Sequence, residues 1–384
     1  MAMARTGKGE SGKNHDASID TVEVAAYTIP TDGPDGKESD GTLEWSSTTI
    51  VIAEVSAGGE TGLGYTYGDV AVAHLIASKL KECLAGKDAL ATCALWSEQI
   101  SALRNLGVPG LGMMAVSALD VALWDLRAKL LDLPLFRVLP WFHDGVPIYG
   151  SGGFCNYPLS RLGAQLAAWV NQGIPRVKLK TSRHPEADPA RLAACRAAIG
   201  DQPVLMTDAN GALDRKQALH WAHRLRAEWA VSWMEEPVAS ADREGLRLLR
   251  EQGPPGLDIA AGEYGSVLRD FADLLDAQAV DCLQADVSRC GGITGLLQVA
   301  GLCAARSIDL SAHCAPAISA HAFCAVQRIR HLEYFHDHVR VEQMLFEGTL
   351  GPKQGGLYPD PSRPGLGLVL KRKDAEPYLV YRAR

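Results

Sequence analysis

Between residues 147 and 335, eight short apolar runs each give way to a helical pattern, and this rhythm limits the possible folds more than any other feature. The runs are Pro147-Ile148-Tyr149, Val177-Lys178-Leu179-Lys180, Val204-Leu205-Met206, Val231-Ser232-Trp233-Met234, Ile259-Ala260-Ala261, Cys282-Leu283-Gln284, Ile308-Asp309-Leu310-Ser311 and Leu332-Glu333-Tyr334-Phe335. Strands alternating with helices at spacings of about 22 to 30 residues are parallel βα units, and eight of them favour a closed barrel over an open sheet. One connecting helix is marked by Asp214 with Gln217 three residues on, a capping-box pattern, followed by an apolar face of Ala218, Trp221, Ala222, Leu225 and Trp229. A barrel needs roughly 250 residues. The chain has 384, so a second, smaller domain is expected.

That domain begins with strand-like runs, Thr21-Val22-Glu23-Val24 and then Thr48 to Val55, which open an antiparallel meander. The Gly-, Asp- and Pro-rich loop between them, about residues 30 to 44, is either a mobile lid or a disordered excursion. After Gly58-Gly59-Glu60 the pattern changes within a few residues to helices. The clearest covers 115 to 131, with Leu119, Ala122, Leu123 and Leu126 at helical spacing and Pro134 beyond its end. Residues 1 to 17 are polar, lack the apolar core of a secretory signal and read as a disordered tail. No run of eighteen apolar residues exists, so no membrane span is expected. Nine cysteines without a CxxC pair suggest buried reduced thiols and a cytoplasmic address. A net charge of -7 gives no basic excess for nucleic acid.

In such a barrel chemistry sits where strands end, because strand-end side chains converge there under variable loops. Three consecutive strands end in carboxylates: Asp208 in Thr207-Asp208-Ala209-Asn210, Glu235 in Met234-Glu235-Glu236-Pro237, and Glu263 in Ala261-Gly262-Glu263. Any one of them alone would pass as an exposed loop acid. Recurring at one structural position, they would repel each other unless a cation lay between them. An all-oxygen set suits Mg²⁺, with Mn²⁺ as its substitute.

One strand earlier, Lys178 and Lys180 share a face, either the lumen or the helix layer. A second ammonium and a nearby dication would both push a lysine towards the pKa of about 7 to 8 that suits a base at neutral pH. Asp286 ends the sixth strand and His313 the seventh. A carboxylate on one imidazole nitrogen would fix the tautomer and free the other nitrogen for proton transfer. Glu333, on the eighth strand, would either donate to a substrate or pair with a neighbouring cation. His331, His336 and His338 read as structural or surface residues, and Cys290, Cys314 and Cys324 as packing.

Taken in order, these residues resemble the enolase superfamily, and within it the mandelate-racemase-like subgroup. The resemblance runs from about residue 19 and includes Ala118-Leu119-Asp120-Val121-Ala122-Leu123-Trp124-Asp125, Lys178-Leu179-Lys180, Asp208-Ala209-Asn210, Glu235-Glu236-Pro237, Gly262-Glu263, Asp286, His313 and Glu333. It implies an α+β capping domain over 18 to 145, with a mobile specificity loop at about 30 to 44. It further implies a modified TIM barrel, (β/α)7β-like, over 146 to 341, and a C-terminal segment, 342 to 384, that returns to the capping domain. Mg²⁺ would be held by Asp208, Glu235 and Glu263. Lys180 would be the base on one substrate face, tuned by Lys178, and His313 paired with Asp286 would act on the other. Glu333 would bond the enolate oxygen. The family's use of a Lys or His base with Mg²⁺ and an enediolate enters with the resemblance alone, since residue spacing says nothing of it.

The implied substrate is a small carboxylate. The polar loop, with Asp32, Asp35, Lys37, Glu38 and Asp40, favours an acid sugar over an aromatic acid. The leading expectation is dehydration to a 2-keto-3-deoxy acid, with racemisation or epimerisation of a 2-hydroxy acid as the alternative. A metal-dependent hydrolase would need histidine ligands that Tyr149-Gly150-Ser151-Gly152-Gly153 does not supply, and a non-catalytic barrel would have little reason to keep these groups. Relatives resembling this chain are usually homo-oligomers, so a homo-oligomer is expected.

Overall fold

The computed structural model describes residues 17–384. The expected tail lies outside the described residues except for Ala17, which is buried and whose carbonyl accepts from the Ala89 N–H. Eight parallel strands close into a barrel: Val146–Gly152, Arg176–Lys180, Val204–Asp208, Trp233–Glu235, Asp258–Ala261, Cys282–Ala285, Asp309–Ala312 and Ile329–Phe335, the last pairing with the first. Helices link successive strands, and a further helix, His336–Leu345, follows the eighth. The capping box at Asp214 is formed, and Ala218, Ala222, Leu225 and Trp229 are buried beneath it.

Alternation sorts the barrel residues into two sets. Val177, Leu179, Leu205, Leu283, Leu310 and Leu332 pack outward into the helix layer, in one continuous core. Tyr149, Met206, Trp233, Ala260 and Cys282 form a separate cluster in the lumen, with the His331 ring edge-on to both Tyr149 and Trp233. This layer floors the barrel below the polar strand ends. His331, with its ring nitrogen 2.8 Å from Ser311 Oγ, is structural, as expected.

Beside the barrel lies an antiparallel sheet ordered Leu379–Ala383, Ile19–Pro30, Ser47–Ala57, Glu60–Tyr67, so the chain's last strand pairs with the first of the smaller domain. The strand Glu60–Tyr67 stands where the sequence suggests a change to helix. Its glycines account for the difference. A Cβ on Gly62 or Gly64 would lie 2.1 or 2.2 Å from the Ala122 or Ala118 carbonyl oxygen, so the strand packs directly on the helix Leu111–Leu130 and carries little apolar pattern of its own. That helix is buried on nearly every side because it is pressed between this sheet and the barrel.

Two acids in this helix act as anchors, Asp125 tying the sheet to the C-terminal segment and Asp120 tying the helix to the barrel. Asp125 accepts from the Leu63 and Leu366 N–H groups at 2.7 and 2.6 Å. Asp120 accepts from Thr294 N at 2.9 Å and Thr294 Oγ1 at 2.6 Å, at the N-terminus of the barrel helix Gly292–Ala305, where a carboxylate also meets the positive end of the helix dipole.

The loop between the first two strands is seated on the barrel mouth. Cys155 N donates to Ser39 O, Thr42 Oγ1 to Asn210 O, and Arg183 to Leu43 O, while a Cβ on Gly41 would lie 2.2 Å from Ala209 O. The cysteines are all free thiols; six are buried, Cys83 and Cys155 are half-buried, and Cys93 is exposed, contrary to the expectation of uniform burial. Among the described residues no helix is long and apolar enough to cross a membrane.

Two outcomes follow from this packing. Gly64→Ala is expected to destabilise the fold by about 1–3 kcal/mol through overpacking, whereas Gly301→Ala, with open space around the added methyl in a helix, should stabilise it by about 0.5–1 kcal/mol; denaturant melts check both. Burial raises the Asp120 carboxyl to about 7, despite the Thr294 hydrogen bonds. The folded group therefore binds its proton more tightly than the unfolded one, and stability falls as pH rises from about 4 through about 7. Asp120→Asn should flatten that part of the stability–pH profile.

Candidate active site

Alternation places Lys178 and Lys180, Asp208, Glu235, Asp286, His313 and Glu333 on lumen-facing positions, and all are buried. The lysines therefore face the lumen and not the helix layer. Glu263 is the exception to the parity rule: Ala260 faces the lumen, so a continuing strand would turn residue 263 outward. Gly262 breaks the strand with a φ of 130°, and a Cβ there would lie 2.3 Å from Gln284 O. Only glycine permits this close crossing, which swings Glu263 inward.

Asp208, Glu235 and Glu263 each offer an oxygen, and these atoms lie within 4.8 Å of one another. Lys180 Nζ lies 2.5 Å from Asp208 Oδ2, and Lys178 Nζ lies 2.7 Å from Glu235 and 2.8 Å from Glu333 Oε1. Burial works against the charge on Lys178, but Glu235, Glu333 and Asp208 outweigh it and hold the ammonium well above the ordinary lysine range. Lys180 is raised in the same way, against burial and against Lys178, by Asp208. Within the polypeptide alone the lysines are thus the counter-ions of the acids, opposite in direction to the lowering expected beside a dication. A dication among the oxygens would take over that neutralisation and release both ammoniums downward.

The donor set fits a hard cation. All three groups are carboxylates, and Glu263 Oε2 is buried without a hydrogen bond, with His313 Nε2 approaching it at 3.4 Å, so it is left open to a cation.

Across the lumen, His313 Nδ1 lies 2.7 Å from Asp286 Oδ2, and the other oxygen of Asp286 accepts from Ser288 N and Oγ, both at 2.7 Å. Nε2 faces the carboxylates, 3.4 Å from Glu263 Oε2 and 3.6 Å from Glu333 Oε2. Burial disfavours the imidazolium, but Glu263, Glu333 and Asp286 together raise His313 above its ordinary value. Glu333 pairs with Lys178 at 2.8 Å: burial opposes its ionisation, yet Lys178, His313 and Lys180 hold it well below the carboxylate range.

Several neighbours are not singled out by the sequence. Ser151 donates to Glu333 Oε1 at 2.6 Å, and Trp233 Nε1 to Glu235 Oε2 at 3.0 Å. Both share strand parity with a residue that the pattern does mark, Ser151 with Tyr149 and Trp233 with Glu235, and parity alone would find them. Arg289, three residues after Asp286 in the turn that follows the sixth strand, lies 3.5 Å from it and over the Tyr264 ring. Cys314, which the sequence suggests is packing, has its sulfur 3.3 Å from His313 Nε2. His336 is half-buried and lies 2.9 Å from Asp32 of the loop, while His338 is buried and stacks on Tyr67.

A capping domain on a closed barrel, with acids from three successive strand ends meeting in the lumen, is the architecture of the enolase superfamily. The model for the mandelate racemase / muconate lactonizing enzyme N-terminal domain matches residues 38–139 and that for the enolase C-terminal domain-like fold matches 161–375; the chain belongs to this family. It is 31% identical to the 3,6-anhydro-alpha-L-galactonate cycloisomerase of Streptomyces coelicolor, over 92% of this chain and 97% of that one. It is 32% identical to the L-talarate/galactarate dehydratase of Salmonella typhimurium, over 84% and 81%. A mandelate racemase/muconate lactonizing enzyme-like protein from Rubrobacter xylanophilus superposes with a TM-score of 0.92 at 58% identity, covering 94% of this chain and all of that one. A racemase from Streptomyces coelicolor solved with bound magnesium superposes at 0.87 with 29% identity, over 94% of this chain and all of that one.

Gly262→Ala is expected to swing Glu263 away from the other two acids. Wild-type protein should show a Mg²⁺-dependent rise in melting temperature, and this rise should be lost or strongly reduced in the variant.

Proposed function

We propose that this chain is a Mg²⁺-dependent acid-sugar dehydratase that converts a polyhydroxy carboxylate to its 2-keto-3-deoxy acid, with Mn²⁺ able to substitute. The observation that carries the reading is the position of two proton-transfer groups on either side of one carboxylate set. Lys180 lies against Asp208, and His313 Nε2 faces Glu263 from the opposite wall.

Asp208, Glu235 and Glu263 would hold the metal, which would offset the charge that develops on the substrate carboxylate when its α-proton leaves. Lys180, once deprotonated, takes the α-proton. Lys178 is held between Glu235 and Glu333, where it orients Glu333 and presents a positive charge to the substrate carboxylate. His313 favours its protonated form, as an acid for the β-hydroxyl requires. The α C–H bond breaks to Lys180, the β C–O bond breaks, and the hydroxyl leaves as water with the proton from His313. The resulting enol becomes the 2-keto acid. Asp286 keeps Nδ1 occupied, so Nε2 alone is available for transfer.

The dehydratase and cycloisomerase activities named for the relatives support an acid-sugar substrate. The two-sided base arrangement also suits a racemase, and one assay separates the readings. Acid-sugar libraries with Mg²⁺ in D₂O should yield a 2-keto-3-deoxy product. Deuterium exchange with inverted substrate and no keto product would refute dehydration. Lys180→Ala, folded and still binding Mg²⁺, should lose at least about 10²-fold in kcat; an unchanged rate would remove Lys180 from the base role.

A further inference from the structure

A second group of metal-ligating atoms lies in the same lumen. His313 Nε2, Cys314 Sγ and Glu333 Oε2 form a triangle whose sides are 3.3 Å (N to S), 3.3 Å (S to O) and 3.6 Å (N to O). Tetrahedral Zn²⁺, with Zn–S of about 2.3 Å and Zn–N and Zn–O of about 2.0–2.1 Å, sets its donors about 3.3–3.6 Å apart. The triangle already has that size.

The surrounding shell is also complete. A zinc-bound imidazole usually gives its other nitrogen to a carboxylate, and His313 Nδ1 lies 2.7 Å from Asp286. A bound carboxylate is itself usually held, and the far oxygen of Glu333 receives Ser151 and Lys178. The third donor reaches the lumen only through an unusual backbone. Neighbouring residues on a strand face opposite ways, yet His313 and Cys314 both point inward, because Cys314 and Ala315 adopt left-handed conformations with φ of 51° and 43°. Each such non-glycine residue costs on the order of 1–3 kcal/mol unless the surroundings enforce it. Ser319 Oγ, donating to Cys314 O at 2.8 Å, is part of that enforcement.

We propose that His313, Cys314 and Glu333 form a second metal site, distinct from the all-carboxylate set, that takes a borderline-soft dication such as Zn²⁺ with a water in the fourth position. Thiolate and imidazole select Zn²⁺ over Mg²⁺, while the three acids favour Mg²⁺, so the two sites differ in preference. Binding releases the thiol proton and, from an imidazolium, the Nε2 proton to solvent, and the metal takes the freed lone pairs. Occupation removes the nitrogen that transfers protons, so the ion acts as an inhibitor; this last consequence rests on the proposed function of His313.

The test uses the full-length, Mg²⁺-saturated protein with Co²⁺ as a spectroscopic stand-in for Zn²⁺. One equivalent of Co²⁺ should give intense tetrahedral d–d absorption and a thiolate-to-metal charge-transfer band, both displaced by Zn²⁺. Cys314→Ser should abolish the charge-transfer band and weaken Zn²⁺ binding, measured calorimetrically, by at least the ~10–100-fold that loss of an outer-shell partner costs. Cys93→Ser, which removes the exposed thiol, should leave both intact. A wild-type protein with no charge-transfer band, or a band lost in Cys93→Ser but kept in Cys314→Ser, would overturn the site. Should Cys314→Ser fail to fold by circular dichroism, Cys314→Ala and a proton-release measurement on Zn²⁺ addition to wild type carry the same decision, with no release counting against the site. The spectral readout needs no turnover, so its failure and that of the dehydratase reading are separately visible.

Discussion

Charge compensation at the centre of the barrel is the constraint on which the rest depends. Two carboxylates about 4 Å apart repel by about 4 kcal/mol at an effective dielectric near 20. Three buried within 4.8 Å of each other would therefore cost about as much as the whole stability of an ordinary domain. Lys178 and Lys180 supply the opposite charge, and they can do so because strand alternation sends both inward one strand before the first acid. The barrel's closure, which pairs the eighth strand with the first, brings Glu333 beside Ser151 and within 2.8 Å of Lys178. Two ammoniums do not cancel four carboxylates, so the assembled barrel keeps an acidic excess that a dication would offset, and no single βα unit holds even the partial compensation.

Against this regular background two breaks in alternation stand out, and both turn a polar side chain into the lumen. Gly262 turns Glu263 inward by a crossing that no side chain would allow. Cys314 and Ala315 achieve a similar inward turn without glycine, at a backbone cost that packing has to cover. The difference is informative. Where a backbone crosses another closely, glycine is the simple solution; where the turned residue itself carries a donor atom, its side chain has to be kept.

Much of this is legible in the sequence. Eight runs at regular spacing, the lysine pair and acids at successive strand ends all follow from period-two geometry and from the length of a βα unit. Glu60–Tyr67 escapes such a reading because its pattern is replaced by Gly62 and Gly64, whose purpose appears only when the helix lying on them is seen. Cys314 escapes it for a related reason. Strand parity assigns the residue after His313 to the helix layer, and a left-handed turn at non-glycine residues leaves no mark in the sequence. Asp120 and Asp125 are visible as a motif but not as anchors, since their partners, Thr294 and Leu366, are more than a hundred residues away.

The charges of the loop over the barrel mouth have a structural use. Its charges suggest a polar substrate, yet nearly all are used within the loop's own seat. Asp32 meets Arg161 and His336, Lys37 meets Glu44, and Asp40 Oδ1 accepts from the Thr42 and Leu43 N–H groups. Glu38 is buried against Tyr157; burial first, and then Asp337, push its carboxyl up to about 9, so it sits there as a neutral acid. These groups fasten the loop near the ends of the first and eighth strands, beside the polar strand ends of the lumen. Loop polarity therefore reports how the loop is held, and the proposal of an acid-sugar substrate rests on the relatives.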